Sequence, residues 1–167
     1  ISLVARDINF DGHVDLILAN RNKQPNRIYY GPSFSSSSEF GSGNDETRQV
    51  AIGDMDGDGD PDIVAVNIGE KNKIIYNDGR GNFIKSVSFG SSSDRSMSIA
   101  LGDLDGDGDL DIVDSNTRTS VFLNNQTSFD LYDNFVDTDE DTLLWPVEID
   151  GKYHYDFIGS HNQICNQ

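Results

Sequence analysis

An acidic nine-residue loop that returns at a near-constant interval constrains this chain more than any other feature. Asp54-Met55-Asp56-Gly57-Asp58-Gly59-Asp60-Pro61-Asp62 recurs 49 residues later as Asp103-Leu104-Asp105-Gly106-Asp107-Gly108-Asp109-Leu110-Asp111. Oxygen-bearing side chains occupy positions 1, 3, 5 and 9, and a glycine at 6 lets the backbone fold around them. Carboxylates at alternate positions of a tight loop converge on one point and repel unless a cation joins them. Flexible coordination at about 2.3–2.6 Å by such oxygens favours calcium over magnesium. Side-chain ligands are expected from Asp54, Asp56, Asp58 and Asp62, and from Asp103, Asp105, Asp107 and Asp111. Position 7 supplies a backbone carbonyl, so Asp60 and Asp109 are expected to contribute main-chain oxygens.

The same opening, DxDxDG, begins the helix-loop-helix calcium site, which needs an acidic bidentate ligand at position 12 and a helix afterwards. Position 12 is Ala65 in one loop and Asp114 in the other, and the following runs are Ile63-Val64-Ala65-Val66 and Ile112-Val113. Short β-branched runs of this kind are buried strands. The loop therefore joins two strands.

Asp7-Ile8-Asn9-Phe10-Asp11-Gly12-His13-Val14-Asp15 fits the template 47 residues before Asp54. Asp7, Asn9, Asp11 and Asp15 offer side chains with one charge fewer, so weaker binding is expected, and His13 holds the carbonyl position. A fourth unit, Glu148 to Asp156, keeps acidic residues at positions 1, 3 and 9 but has Lys152 at position 5. Either the ammonium replaces the ion or the loop has decayed. Both give about three calcium ions and none at the fourth loop.

Each unit repeats one order: an apolar run into the loop, one out of it, a third at Ile28-Tyr29-Tyr30, Ile74-Ile75-Tyr76 or Val121-Phe122-Leu123, then a turn and a fourth run. The fourth run spans Phe83 to Phe89, with Phe40 and Phe129 in comparable places. Four short strands per 45–50 residues form the blade of a β-propeller. The expected fold is all-β, with blades at about 1–44, 45–93 and 94–138 and a half blade at 139–167.

On the Asp54–Asp62 and Asp103–Asp111 loops, Phe40-Gly41, Phe89-Gly90 and Tyr76-Asn77-Asp78-Gly79-Arg80-Gly81-Asn82-Phe83, the chain resembles FG-GAP or VCBS repeats, the calcium-binding propeller blades of integrin alpha chains. The resemblance implies a ring of usually seven blades, so three and a half would be part of a larger propeller or close with another chain. It also implies ligand recognition on the face away from the calcium loops.

Twelve basic against 29 acidic residues give a net charge of −17, which argues against nucleic acid and anionic membranes as partners. Three calcium ions would bring it to about −11. No run reaches transmembrane length. Occupied calcium loops suit an extracellular setting or the cell surface, as does the glycosylation sequon at Asn125-Gln126-Thr127. Cys165 stands alone, as a free thiol or the mate of a cysteine on another segment.

Asp137-Thr138-Asp139-Glu140-Asp141 lacks the glycine and is expected to be a solvated inter-blade loop, equivalent to Asn44-Asp45-Glu46 and Ser93-Asp94-Arg95. Asp114, inside a strand, is expected to be a hydrogen-bonded structural carboxylate. His13 and His154 fall at carbonyl positions of loops, His161 stands alone, and no hydrolase or zinc motif occurs. The expected function is recognition or adhesion through a protein or glycan ligand. A scaffold for an enzyme with catalytic groups elsewhere, and a structural part of an extracellular assembly, are the alternatives.

Overall fold

A computed structural model describes residues 1–116 and 119–125, with the backbone of strands at 129–135, 145–149 and 152–156. The expectations for Asp137–Asp141, His161 and Cys165 and for the Lys152 and His154 side chains lie outside the described residues.

Alternation of apolar and polar residues makes β2 (Asp15–Ala19) a strand with Asp15, Ile17 and Ala19 buried. It is flanked by β1 (Ser2–Arg6) and β3 (Asn26–Tyr30), and β4 (Ser36–Phe40) closes the first sheet. The second sheet runs β5 (Thr47–Gly53), β6 (Asp62–Asn67), β7 (Asn72–Tyr76) and β8 (Lys85–Phe89). The third runs β9 (Ser98–Gly102), β10 (Asp111–Ser115), β11 (Thr119–Asn124) and β12 (Phe129–Phe135). Every pairing is antiparallel between sequence neighbours, so each sheet is a simple meander. These are propeller blades, standing side by side in an unclosed row.

The sequence of β6, Asp-Ile-Val-Ala-Val-Asn, is buried at every position because the second blade is covered on both faces. Ile63, Ala65 and Ile75 pack against Ile17, Ala19 and Ile28 of the first blade. Val64, Val66, Ile74 and Tyr76 turn the other way, against Ile99, Ile112 and Phe122 of the third. Phe89 meets Phe122 edge to face with centroids 5.0 Å apart. Burial of each such side chain contributes about 1.5–3 kcal/mol, so the blade contacts hold the row together. The outermost strands are the polar ones: Lys85 to Ser88 are all exposed, with only Phe89 buried in β8. Short, charged or serine-rich edges of this sort discourage pairing with other chains.

One expectation needs correction, and of the two readings of the fourth loop the hairpin agrees with a decayed one. Phe129 opens β12, whereas Phe40 and Phe89 end β4 and β8. Phe135 holds their register, pairing with Thr119 as Phe40 pairs with Asn26 and Phe89 with Asn72. The turn before β12 is short, and β12 is a seven-residue strand with a register shift opposite Val121 and Phe122, which moves the strand start back. The fourth unit also departs from the template. Glu148 to Asp156 does not make a nine-residue loop; β13 (Trp145–Ile149) and β14 (Lys152–Asp156) pair directly, from Trp145 with Asp156 to Ile149 with Lys152. Asp150-Gly151, between these two strands, lies outside the described residues.

Candidate metal centre

Each acidic loop spans the gap between the first two strands of a blade, where Arg6 pairs with Asp15, Gly53 with Asp62 and Gly102 with Asp111. The loop folds back on its own first residue. Asp54 accepts the amides of Gly57 at 2.8 Å and Gly59 at 2.9 Å, and Asp103 accepts those of Gly106 at 2.7 Å and Gly108 at 3.2 Å. Positions 4 and 6 have positive φ: Gly57 at 76° and Gly59 at 91°. In the first loop position 4 is Phe10, held at φ 56° and exposed, a conformation that costs an L side chain about 1 kcal/mol.

Carboxylate oxygens of Asp54, Asp56 and Asp58 lie within 4.8 Å of one another, and so do those of Asp103, Asp105 and Asp111. Between them these two clusters use all four expected side-chain positions. Asp60 turns aside: its carboxylate lies against Gly79, whose added Cβ would meet it at 2.6 Å. Burial and the negative charges of Asp58 and Asp54 push the Asp56 carboxyl above its usual range. Asp56 Oδ1 is buried and accepts no hydrogen bond, and Asp7 Oδ1 is in the same condition in the first loop. Converging hard oxygens with unsatisfied lone pairs and mutual repulsion fit a divalent cation. These acidic clusters can bind metal.

The first loop is arranged differently. Asn9 donates from Nδ2 to Asp11 Oδ2 at 3.2 Å and accepts the Asp11 amide through Oδ1 at the same distance. Asp7 accepts the Gly12 amide at 2.9 Å, and His13 is exposed. Its three carboxylates, Asp7, Asp11 and Asp15, do not draw together as the second and third sets do.

Position 9 serves the fold as well as the loop. Asp62 is fully buried and accepts Met55 N–H through Oδ2 and Asn77 N–H through Oδ1, both at 2.8 Å. Asp111 does the same with Leu104 at 2.7 Å and Asn124 at 2.8 Å, and Asp15 with Ile8 at 3.0 Å and Gly31 at 2.8 Å. Burial raises the Asp62 pKa to about 6 against the pull of these two amides, and Asp111 moves in the same direction for the same reason.

Asparagines tie the loops of successive blades. Asn77 Nδ2 donates to Ile8 O at 2.7 Å, and Asn124 Nδ2 donates to Met55 O at 2.9 Å. A second set works at the opposite ends of the strands, where Asn26 donates to Thr47, which donates to Asn67, each at 2.9 Å. Sequence reasoning passed over all of these. For the Asn77 and Asn124 ties the signal was an asparagine directly after the third strand run, in Tyr76-Asn77 and Leu123-Asn124.

The sequence pattern of the FG-GAP-like repeat matches residues 7–65 and again 54–113, each time from the first aspartate of one loop to the strand that follows the next. The chain belongs to the FG-GAP-like repeat family. No curated protein matches it. Each FG-GAP-like match runs from one acidic loop through the next into the strand behind it, and neither spans both ends of an asparagine tie: 7–65 holds Ile8 without Asn77, and 54–113 holds Met55 without Asn124. Asn125, the sequon residue, is exposed beside the end of β11.

Proposed function

We propose that this propeller module is stabilised by calcium in its acidic loops and acts outside the cell, recognising a protein or glycan on its opposite face. The convergence of Asp54, Asp56 and Asp58, and of Asp103, Asp105 and Asp111, carries the proposal. In a meander the loops after first and third strands share one end of the blade. Ions there pin strand register and leave the other end, with the turns at Ser42–Asp45 and Ser91–Asp94, for a ligand. The chain forms one domain of successive blades divided near residues 44, 93 and 138, completed to a ring by further blades or by another chain. It contributes no catalytic residue, and its acidity suits neither nucleic acid nor anionic lipid. In the described residues no helix is long and apolar enough to cross a membrane.

Thermal unfolding in calcium and after chelation tests the first half. Two ions at a hundredfold their Kd add about 5 kcal/mol, a shift on the order of 10–20 °C. An unchanged melting temperature would sink calcium stabilisation. Binding to glycan and extracellular-protein arrays tests the second half. Loss of binding on substituting exposed Ser92 and Ser93 supports the proposed face, and loss only on substituting the acidic loops overturns it.

A further inference from the structure

We propose that the uncovered face of the first blade docks a further blade of the same repeat, with Arg27 pairing to an acidic residue in that blade's closing turn. This rests on the ring proposed above and names the surface and the residue that would close it. Strand pairing puts Leu3, Leu18 and Arg27 in one row across the sheet, and Ala5, Leu16 and Tyr29 in another. The corresponding rows of the second blade are Val50, Ala65, Lys73 and Ile52, Ile63, Ile75. The apolar residues of those rows pack on the first blade. Ile99, Ile112 and Phe122 hold the same places in the third blade and pack on the second. Each of these blades thus turns one face toward the blade before it. On the first blade that face is open among the described residues: Leu3 is 57% exposed, and Leu16, Leu18 and Tyr29 are half-buried.

A polar tie at this register completes each described junction. At the first, Lys73 Nζ reaches back to Asp45, 3.1 and 3.2 Å from its two oxygens. Asp45 ends the turn that follows Phe40-Gly41, and Asp94 ends the corresponding turn after Phe89-Gly90. At the second junction Asp114 and Ser120 stand in place of Ala65 and Lys73. Asp114 is fully buried and accepts Ser96 Oγ at 2.6 Å and Asn72 Nδ2 of the second blade at 3.0 Å. On the open face the place of Lys73 belongs to Arg27. Arg27 donates from Nη2 to Glu39 in its own sheet, and its Nη1 lies 3.4 Å from Ser37 Oγ. The pair is exposed, at 36% and 51% of the two side chains, and exposed pairs contribute little. A guanidinium carries five N–H donors, so Arg27 has bonds left for a second carboxylate. An apolar face rimmed by a cation complements a blade whose turn after the Phe-Gly pair ends in a carboxylate, as both described turns do.

The test uses the protein in its native assembly. Hydroxyl-radical oxidation of the unsubstituted protein reads whether the face is covered. Tyr29 is expected to be protected, and oxidation at the rate seen after unfolding in urea overturns both the ring and the proposal. A photoreactive benzoylphenylalanine in place of exposed Ser37 identifies the occupant. Its counterpart Ser86 lines a cleft with Phe40 and Gly41 of the blade before it. Cross-linking to a peptide that carries a Phe-Gly pair and an acidic turn is expected, and cross-linking to any other sequence overturns the proposal. Melting temperature then reads Arg27. Arg27→Glu is expected to lower it by about 2–4 °C. The swap Arg27→Glu/Glu39→Arg is expected to leave it lowered, because like charges then meet across the junction. Recovery to the native value in the swap means that Arg27 serves Glu39 alone, which overturns its docking role while a protected Tyr29 leaves the ring standing.

Discussion

Asp62 and Asn77, fifteen positions apart in the chain, are joined at 2.8 Å through a carboxylate oxygen and a backbone amide. The bond fastens the last residue of an acidic loop to the chain leaving the third strand. The other oxygen of Asp62 holds Met55, so one buried carboxylate fixes three segments of the second blade. A residue placed this way stabilises the blade with or without an ion.

Asp62→Ala is therefore expected to cost about 3 kcal/mol even in chelator, because two buried N–H groups lose their acceptor at roughly 1–3 kcal/mol each. Asp58→Asn, on the exposed rim of the loop, is expected to leave chelated stability unchanged within about 0.5 kcal/mol and to remove only the calcium-dependent part. Urea unfolding of both variants, with and without calcium, separates the two roles.

The raised pKa of Asp62 sets the pH response of the metal-free protein. Its folded value, about 6, lies above the ordinary 3.8, so the folded state holds more protons between these limits. Stability then falls as pH rises through this window. Chelated protein is expected to melt higher at pH 5 than at pH 7, with Asp56 and Asp111 adding in the same direction. In saturating calcium, protons compete with the ion and the order reverses. A chelated protein that melts lower at pH 5 would contradict the assignment.

Asn77 donates from one amide to Ile8 O and Pro61 O and accepts Gly81 N–H, at 2.7, 3.1 and 3.1 Å. Asn77→Ala is expected to cost about 2–3 kcal/mol in urea unfolding. Asn77→Asp is expected to cost more, since a buried carboxylate would then face two carbonyl oxygens.

Phe10 occupies the left-handed position that Gly57 and Gly106 fill in the other loops. Its side chain is 55% exposed and gives up little packing. Phe10→Gly is expected to stabilise the protein by roughly 0.5–1 kcal/mol, read as a higher urea midpoint at unchanged slope.

The blades were legible in the sequence because their signals are local. Asp54 to Asp62 and Asp103 to Asp111 mark the loop, and the β-branched runs after them mark the strand. What escaped were residues whose partners lie a blade away. Asn77 reads as the start of an Asn-Asp-Gly turn, and only the packing of blade on blade brings it to Ile8, 69 residues earlier. Phe129 was misplaced because a short turn and a bulge shift β12 against the count set by the second blade. Asp150-Gly151 satisfies both the loop template and a tight hairpin, and the spacing of acidic residues does not distinguish them.

The ties Asn77 to Ile8 and Asn124 to Met55 both run from a later blade to an earlier one. In the first blade the equivalent residue is Gly31, which keeps the amide bond to Asp15 but has no side chain to extend. The handshake thus has a direction, and the first blade can receive it without passing it on. In the proposed ring, a neighbour seated on the far side of that blade would have to be gripped by other means, which would make that joint the natural place for the ring to open.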